Sequence, residues 1–218
     1  MQISISKEVV AQFPNLKVLV HTIDNVKVEK YNAELENFKM QVYQRVRENY
    51  TLESLKDVPA FRAYRDFFWK IGVDPTKTRP AAEALIRRIL GGKPIPQINT
   101  LVDAYNLASI DTEIALAVFD MAKLRGNLEM RFATSDESFL GIGMEKPMAL
   151  NGGEVVVSDE ERLIAVYPYR DADHSKITEN SKHALLLVCG VPGLDEQILA
   201  VAGKVALNYI TKFCVPTS

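Results

Sequence analysis

The chain has 218 residues, a formal net charge of −2, 47% hydrophobic side chains and 25% charged ones. Such a length fits one domain, or two tightly packed subdomains divided near residue 97, and the balance is that of a globular chain able to bury its own core. The charge excludes a globally cationic nucleic-acid binder but not a local basic patch, and no run approaches the roughly 18 apolar residues a membrane helix needs, so no membrane partner is expected.

Residues 1–10 mix polar and apolar side chains and include Lys7 and Glu8. They lack the continuous apolar stretch of an export signal, so a cytoplasmic location is expected. In that setting Cys189 and Cys214 are read as free, packed thiols.

In chain order, residues 16–26 are rich in β-branched side chains after Pro14 and predict a strand. Between 31 and 50, Tyr31, Leu35, Phe38, Val42, Val46 and Tyr50 recur every three to four residues and predict a helix. Another helix is expected over 60–71, stopping at Gly72. Over 80–90, Pro80 suits a first turn and Ala82, Leu85, Ile86 and Ile89 share one face, with Gly91 expected in the left-handed position beyond the end. A further helix is expected over 99–109.

The second half changes character. Segments 114–120, 127–133, 154–158 and 163–167 read as strands, with a polar turn at 158–161. A strand over 184–189 leads into a closing helix over 195–213, with Asp195 as N-cap and Ile198, Ala202, Val205 and Tyr209 as the buried stripe. A helix-rich N-terminal part, a central and largely antiparallel sheet and a final helix predict an α+β fold.

Three segments together carry a resemblance. Ile98-Asn-Thr-Leu-Val-Asp-Ala-Tyr-Asn106 is similar to a family run ending Val-Asp-x-Thr-Asn. Ala115-Leu-Ala-Val-Phe-Asp120, followed by Lys123-Leu-Arg-Gly126 and Arg131-Phe-Ala133, is similar to a Pro-Leu-His-Ala-Phe-Asp run with its glycine strand and Arg-x-Ala. Asp173-His-Ser-Lys-Ile-Thr178 is similar to a polar segment before the last strand. The helix start Arg79-Pro80 and the strand start Gly153-Glu154 fit free-standing relatives. In order and spacing these resemble the B3/B4 editing module of the phenylalanyl-tRNA synthetase beta subunit. The resemblance implies a free-standing α/β module whose pocket admits the aminoacyl end of tRNA and hydrolyses a wrongly attached amino acid, without the machinery that charges tRNA.

Asn99, Asp103 and Asn106 fall on one polar helix face, while Leu101, Val102 and Tyr105 lie on the apolar side. From spacing alone, Asn99 caps the helix and the other two are solvated or bond nearby backbone. The resemblance makes Asn106 the pocket asparagine and Asp103 a substrate contact. It also sets Tyr105 where the family has threonine, and Ala115 and Ala117 where it has proline and histidine. Tyr105, Ala117 and Glu154 are therefore candidate substrate contacts.

Arg131 and Arg170 are candidate carboxylate or phosphate binders through their planar forks, or members of surface ion pairs. His174 is the candidate catalytic histidine, because it titrates near neutrality among polar residues. His21 is read as a packed histidine with a backbone partner. Asp171, Asp173 and His174 lack a complete ligand set, so no metal is expected, and no Gly-rich phosphate loop suggests another cofactor. Residues 62–93 hold eight basic and three acidic side chains, a local +5 in a chain of net −2, interleaved with Tyr64, Phe67, Phe68 and Trp69. Arg79, Arg87 and Arg88 there are candidate RNA contacts. The expected function is trans-acting hydrolysis of a mischarged aminoacyl-tRNA, with Asn106 and His174 positioning water and stabilising the oxyanion. The alternative is a module that binds an amino acid or aminoacyl-tRNA end without hydrolysis.

Overall fold

A short strand β1 (Ile3–Ile5) and a helical turn α1 (Lys7–Gln12) open the computed structural model, which describes residues 1–216. Neither carries a periodic signal, because three and six residues are too few to show one. Strand β2 (Val18–Ile23) precedes α2 (Ala33–Asn49), which begins after Asn32 accepts a hydrogen bond from the Leu35 amide at 2.9 Å. That cap leaves Tyr31 outside the helix and exposed, while Leu35, Val42 and Val46 are buried as their spacing predicts. Helix α3 (Pro59–Lys70) ends before Gly72, whose φ of +76° only glycine adopts readily. Helix α4 (Ala81–Leu90) follows Pro80, and the left-handed residue past its end is Gly92 rather than Gly91. Gly91 instead closes the last turn, its amide bonding the Arg87 carbonyl.

Helix α5 (Thr100–Thr112) is capped by Asn99, whose side chain accepts from the Val102 amide at 2.9 Å, as expected. Then come β3 (Ala115–Asp120), β4 (Leu128–Phe132), a small hairpin of β5 (Ser138–Phe139) and β6 (Met148–Ala149), β7 (Val155–Ser158), β8 (Leu163–Val166) and β9 (Arg170–Asp171). Strand β10 (Ala184–Cys189) and helix α6 (Glu196–Cys214) end the chain. The fold is α+β. Instead of one central sheet there are two main ones: β1-β4-β7-β8-β9, antiparallel but for the parallel pair β1–β4, and the antiparallel β2-β10-β3.

The second sheet is the hydrophobic centre. Every residue of β3 and β10 is buried, which is why both read as continuous apolar runs rather than alternations. Helices α5 and α6 pack on each other, and α6 also lies against β2 and β10. The buried stripe of α6 is Leu199, Ala202, Ala206, Ile210 and Phe213, turned from the expected face so that Ile198 is exposed. Close approach decides this. A Cβ on Gly203 would stand 2.8 Å from His21 Nε2, and one on Gly190 would stand 2.4 Å from Leu199 Cδ1. His21 is packed there, but its buried Nε2 has no hydrogen-bond partner among the described residues, contrary to the backbone partner expected. Cys189 and Cys214 are buried free thiols. Among the described residues no helix is long and apolar enough to cross a membrane.

Candidate functional site

A cavity of about 140 Å³ opens where the β2-β10-β3 sheet meets the turn from β8 to β9 and the helices α4 and α5. Its floor is apolar: Leu116 and Ala117 from β3, Ala165 from β8, Leu187 and Cys189 from β10. Its polar wall comes from Tyr105 and Asn106 on α5 and Arg170 and Asp171 on β9, and Ala81 at the start of α4 lies on its margin.

The strand ends beneath it are pinned by two buried phenols. Tyr64 donates to the Cys189 carbonyl and accepts from the Ala115 amide at 2.9 Å, tying β10 to β3. Tyr167, next to a cis peptide with Pro168, donates to the Gly190 carbonyl. Asp120, at the end of β3, accepts from the Ser181 hydroxyl at 2.8 Å and from the Ala122 amide at 3.0 Å. That ties β3 to the chain leading into β10. A rigid scaffold of this kind holds the wall residues in fixed positions.

The electrostatics of the cavity are unusual in one respect. Asp171 is half-buried, and burial, the single cause acting on it, pushes its carboxyl up to about 7. Tyr105 is half-buried too. Its hydroxyl is raised first by burial and then by the fields of Asp171 and Asp103. The Cys189 thiol is pushed far up, mainly by burial, and so remains protonated near neutrality. Arg170 is exposed at the mouth, its stem lying over Gly141, where a Cβ would stand 2.5 Å from Arg170 Cδ.

Of the residues named from sequence, Asn106, Tyr105, Ala117 and Arg170 come together in this cavity. Asp103 does not join them: it is buried, its Oδ2 2.7 Å from Lys39 Nζ and its Oδ1 accepting from the Ile98 amide at 3.1 Å. Arg131 is likewise committed, bonding Glu137 through both terminal nitrogens at 3.0 and 2.6 Å. His174 lies outside the cavity lining, its Nε2 2.9 Å from the Leu163 carbonyl, which fixes that nitrogen as the donor, while its buried Nδ1 has no partner among the described residues. Glu154 lines a neighbouring cavity of about 340 Å³, which shares Tyr169 and Arg170 with the first. Its Oε1 accepts from the Asn151 amide at 3.0 Å, and its Oε2 is buried without a partner among the described residues. Asp171, named from sequence only within the incomplete ligand set of Asp173 and His174, enters the site instead as a carboxylate of the cavity wall.

The basic candidates divide. Arg79, Arg87, Arg88 and Lys93 border a groove of about 570 Å³ along α4. Arg87, however, is held at 2.6 Å by the fully buried Glu83, which also binds Arg65 at 2.8 Å. Arg79, Arg88 and Lys93 are exposed. Of the interleaved aromatics, Tyr64, Phe67 and Phe68 are core and Trp69 is exposed. Among the described residues no group of three or more His, Cys, Asp and Glu side chains is placed to hold a metal ion.

An α+β scaffold with a small polar-walled cavity at a sheet end defines the class of the protein. The chain belongs to the B3/4 domain family, whose profile matches residues 63–215. It is 32% identical over 116 residues to the phenylalanine–tRNA ligase beta subunit of Brucella abortus, covering 52% of this chain and 14% of that protein. Against the same subunit of Mycoplasma genitalium it is 31% identical over 81 residues, covering 37% of this chain and 10% of that protein. An N-terminal fragment of the phenylalanyl-tRNA synthetase beta subunit from Pyrococcus horikoshii shares the fold, with a TM-score of 0.51 over 97% of this chain and 48% of that one, at 10% identity. The chain thus spans a small fraction of the ligase subunits it resembles.

Proposed function

We propose that this chain is an aminoacyl-tRNA editing module acting in trans, taking the aminoacyl end of a tRNA into the cavity beside Asn106. The observation that carries the reading is convergence. Tyr105 and Asn106 on α5 and Ala117 on β3, positions singled out by resemblance, line one cavity with Arg170 from the distant β9. In this reading water attacks the ester carbonyl, the C–O bond to the ribose breaks, and the products are a free amino acid and the tRNA hydroxyl. The Asn106 amide donates to the developing oxyanion. Arg170 at the mouth takes the terminal phosphate or the ester oxygen.

A path for the rest of the strand supports this. Ala81 lies at the cavity margin, and the groove with Arg79, Arg88 and Lys93 runs along the same helix. Ten residues of helix extend about 15 Å, so a phosphate backbone leaving the cavity along α4 would come within reach of those cations. His174 has no place in this scheme, because its ring is engaged with the backbone outside the cavity.

The test is deacylation across a panel of mischarged tRNAs by purified protein. At least one ester should be hydrolysed, and Asn106→Ala should slow that reaction by about 100-fold or more, the scale of a lost oxyanion donor. Tight binding of an aminoacyl-tRNA without hydrolysis would establish the second reading, a binding module. That reading is favoured by one observation: no histidine stands among the residues lining the cavity.

A further inference from the structure

We infer that Asp171 recognises a free ammonium group on the bound amino-acid moiety, so that the cavity selects ligands carrying a primary amine. This rests on the aminoacyl reading of the cavity and adds the group that orients the acyl part.

The argument begins with what surrounds the carboxyl. An ionised carboxylate withdrawn from water is costly unless a cation or several hydrogen bonds replace the lost solvent. Two fully buried carboxylates have such partners: Glu83 has Arg65 and Arg87, and Asp103 has Lys39. Asp171 has none. Burial acts on it without any opposing hydrogen bond or counter-charge, and even the adjacent Arg170 does not offset it.

The other groups facing Asp171 supply no cation inside. Tyr105 from α5 and Cys189 from β10 are held in their neutral forms near pH 7 by burial. Tyr167 is engaged with the Gly190 carbonyl, and Tyr169 is raised by burial as well. The β3 and α4 contributions are Leu116, Ala117 and Ala81. Among the described residues Arg170 is the only cation on the rim, and it is exposed.

A missing cation beside an apolar floor describes a ligand: an ammonium next to Asp171, a small side chain over Leu116, Ala117 and Leu187, and an acceptor oxygen toward Arg170. An α-aminoacyl ester has these three features within one small group. A cavity of about 150 Å³ holds a molecule the size of benzene, so this cavity is large enough for a compact side chain with its amine. A free carboxylate, by contrast, is repelled by Asp171 and restricted to the Arg170 side.

Proton linkage gives the inference its own signature. With the carboxyl titrating at about 7, an arriving ammonium favours the ionised form and lowers that value. Binding below neutrality therefore releases a proton. Affinity rises with pH through about 7, until the ligand amine itself deprotonates near roughly 8.

The experiment is calorimetric titration of the full chain with non-hydrolysable adenosine 3′-aminoacyl amides bearing alanine, serine or tyrosine, each with the amine free or acetylated. The free-amine form of at least one should bind about tenfold tighter or more than its acetylated twin, the scale of a charge-assisted hydrogen bond. Its affinity should rise between about pH 6 and pH 7.5 with proton release. In Asp171→Asn the ratio should fall to near one and the rise in affinity between about pH 6 and pH 7.5 should vanish. Equal affinities in the wild type, or a ratio that survives Asp171→Asn, overturn the inference. If that variant misfolds, the wild-type ratio and proton release still decide. Hydrolysis of a mischarged tRNA with equal amine and acetyl affinities removes only the role of Asp171. Absence of binding by every analogue, with no hydrolysis, removes the aminoacyl reading together with it.

Discussion

Glu83, fully buried, and Asp171, half-buried at the cavity, resolve the desolvation of a carboxylate in opposite ways. Glu83, on α4, is fully buried and gripped by two guanidinium groups, and its carboxyl is lowered because those bonds outweigh the burial that would raise it. Asp171, on β9, has neither bond nor cation, and burial alone lifts it to about 7. The Lys39–Asp103 pair belongs with Glu83: burial would lower the Lys39 ammonium, yet its bonds to Asp103 and Glu36 hold it raised. Satisfied charges lock elements together, here α3 to α4 and α2 to α5. An unsatisfied one facing a cavity stores a cost that a ligand can relieve.

The largest test of the contrast is on the satisfied side. Arg87→Glu sets a second carboxylate against Glu83 and should cost about 3–5 kcal/mol of stability, as breaking buried pairs does. Urea unfolding at neutral pH measures it, and a loss below about 1 kcal/mol would show that Glu83 is not held as described. The pH sign follows from the lowered carboxyl. Its contribution is present above the ordinary 4.5 and is lost as pH falls through the lower folded value, so Glu83→Gln should flatten that part of the acid limb.

Asp171 should behave in reverse. Its folded value lies above its ordinary 3.8, so its stability contribution falls as pH rises from 3.8 to about 7 and the full penalty persists above that. Asp171→Asn should therefore stabilise the protein at pH 8 by ~1–3 kcal/mol, the full linkage discounted for water reaching the cavity, and leave it unchanged near pH 3.5. Thermal unfolding at the two pH values checks this. Equal effects at both would mean that Asp171 is compensated after all.

Tyr105 sharpens the other wall of the same cavity. It stands where the resemblance places threonine, and it lines the cavity together with Ala117. Removing its ring as Tyr105→Thr should admit aromatic aminoacyl esters, raising their deacylation or binding about tenfold or more, since apolar pockets discriminate by roughly 1–3 kcal/mol per methylene. A folded variant with no gain on any aromatic ester would show that the ring does not set the cavity's size.

Much of this was legible in the sequence wherever a local rule applied. The caps Asn99 and Asp195, the strand over 184–189 and the break at Gly72 all follow from short-range chemistry. The α6 face did not, because apolar residues ring that helix and two glycines at distant contacts choose which side is buried. Tertiary partners were equally hidden. Nothing near Asp103 announces Lys39, 64 residues away, and nothing near Arg131 sets its bidentate grip on Glu137 apart from a free guanidinium. The cavity positions Asn106 and Ala117 were reachable through family resemblance rather than spacing. The cavity role of Asp171, read from sequence only as an incomplete metal ligand, was hidden for a plain reason: its character lies in the partners it lacks.

The smallest expected effect concerns the basic groove, where the contrast between bound and free charge applies again. The pattern of Arg79, Arg87 and Arg88 suggests one patch, but Arg87 serves Glu83, and reversing its charge would confuse lost binding with lost folding. Arg88 and Lys93 are exposed, and although the Arg88 Nε donates to the Pro94 carbonyl, its remaining nitrogens are available to a phosphate. Each phosphate contact on a single strand contributes about 0.7 to the slope of log affinity against log salt. Arg88→Gln with Lys93→Gln should therefore lower the slope for deacylated tRNA by roughly 1.4 and weaken binding several-fold at low salt, with little change in stability. Arg79→Gln alone should lower the slope by about half as much. Filter binding across a salt series, with unfolding measured on the same samples, separates the two effects. If the double variant keeps both its affinity and its slope, the strand leaves the cavity by another face, and the groove along α4 is a solvated surface.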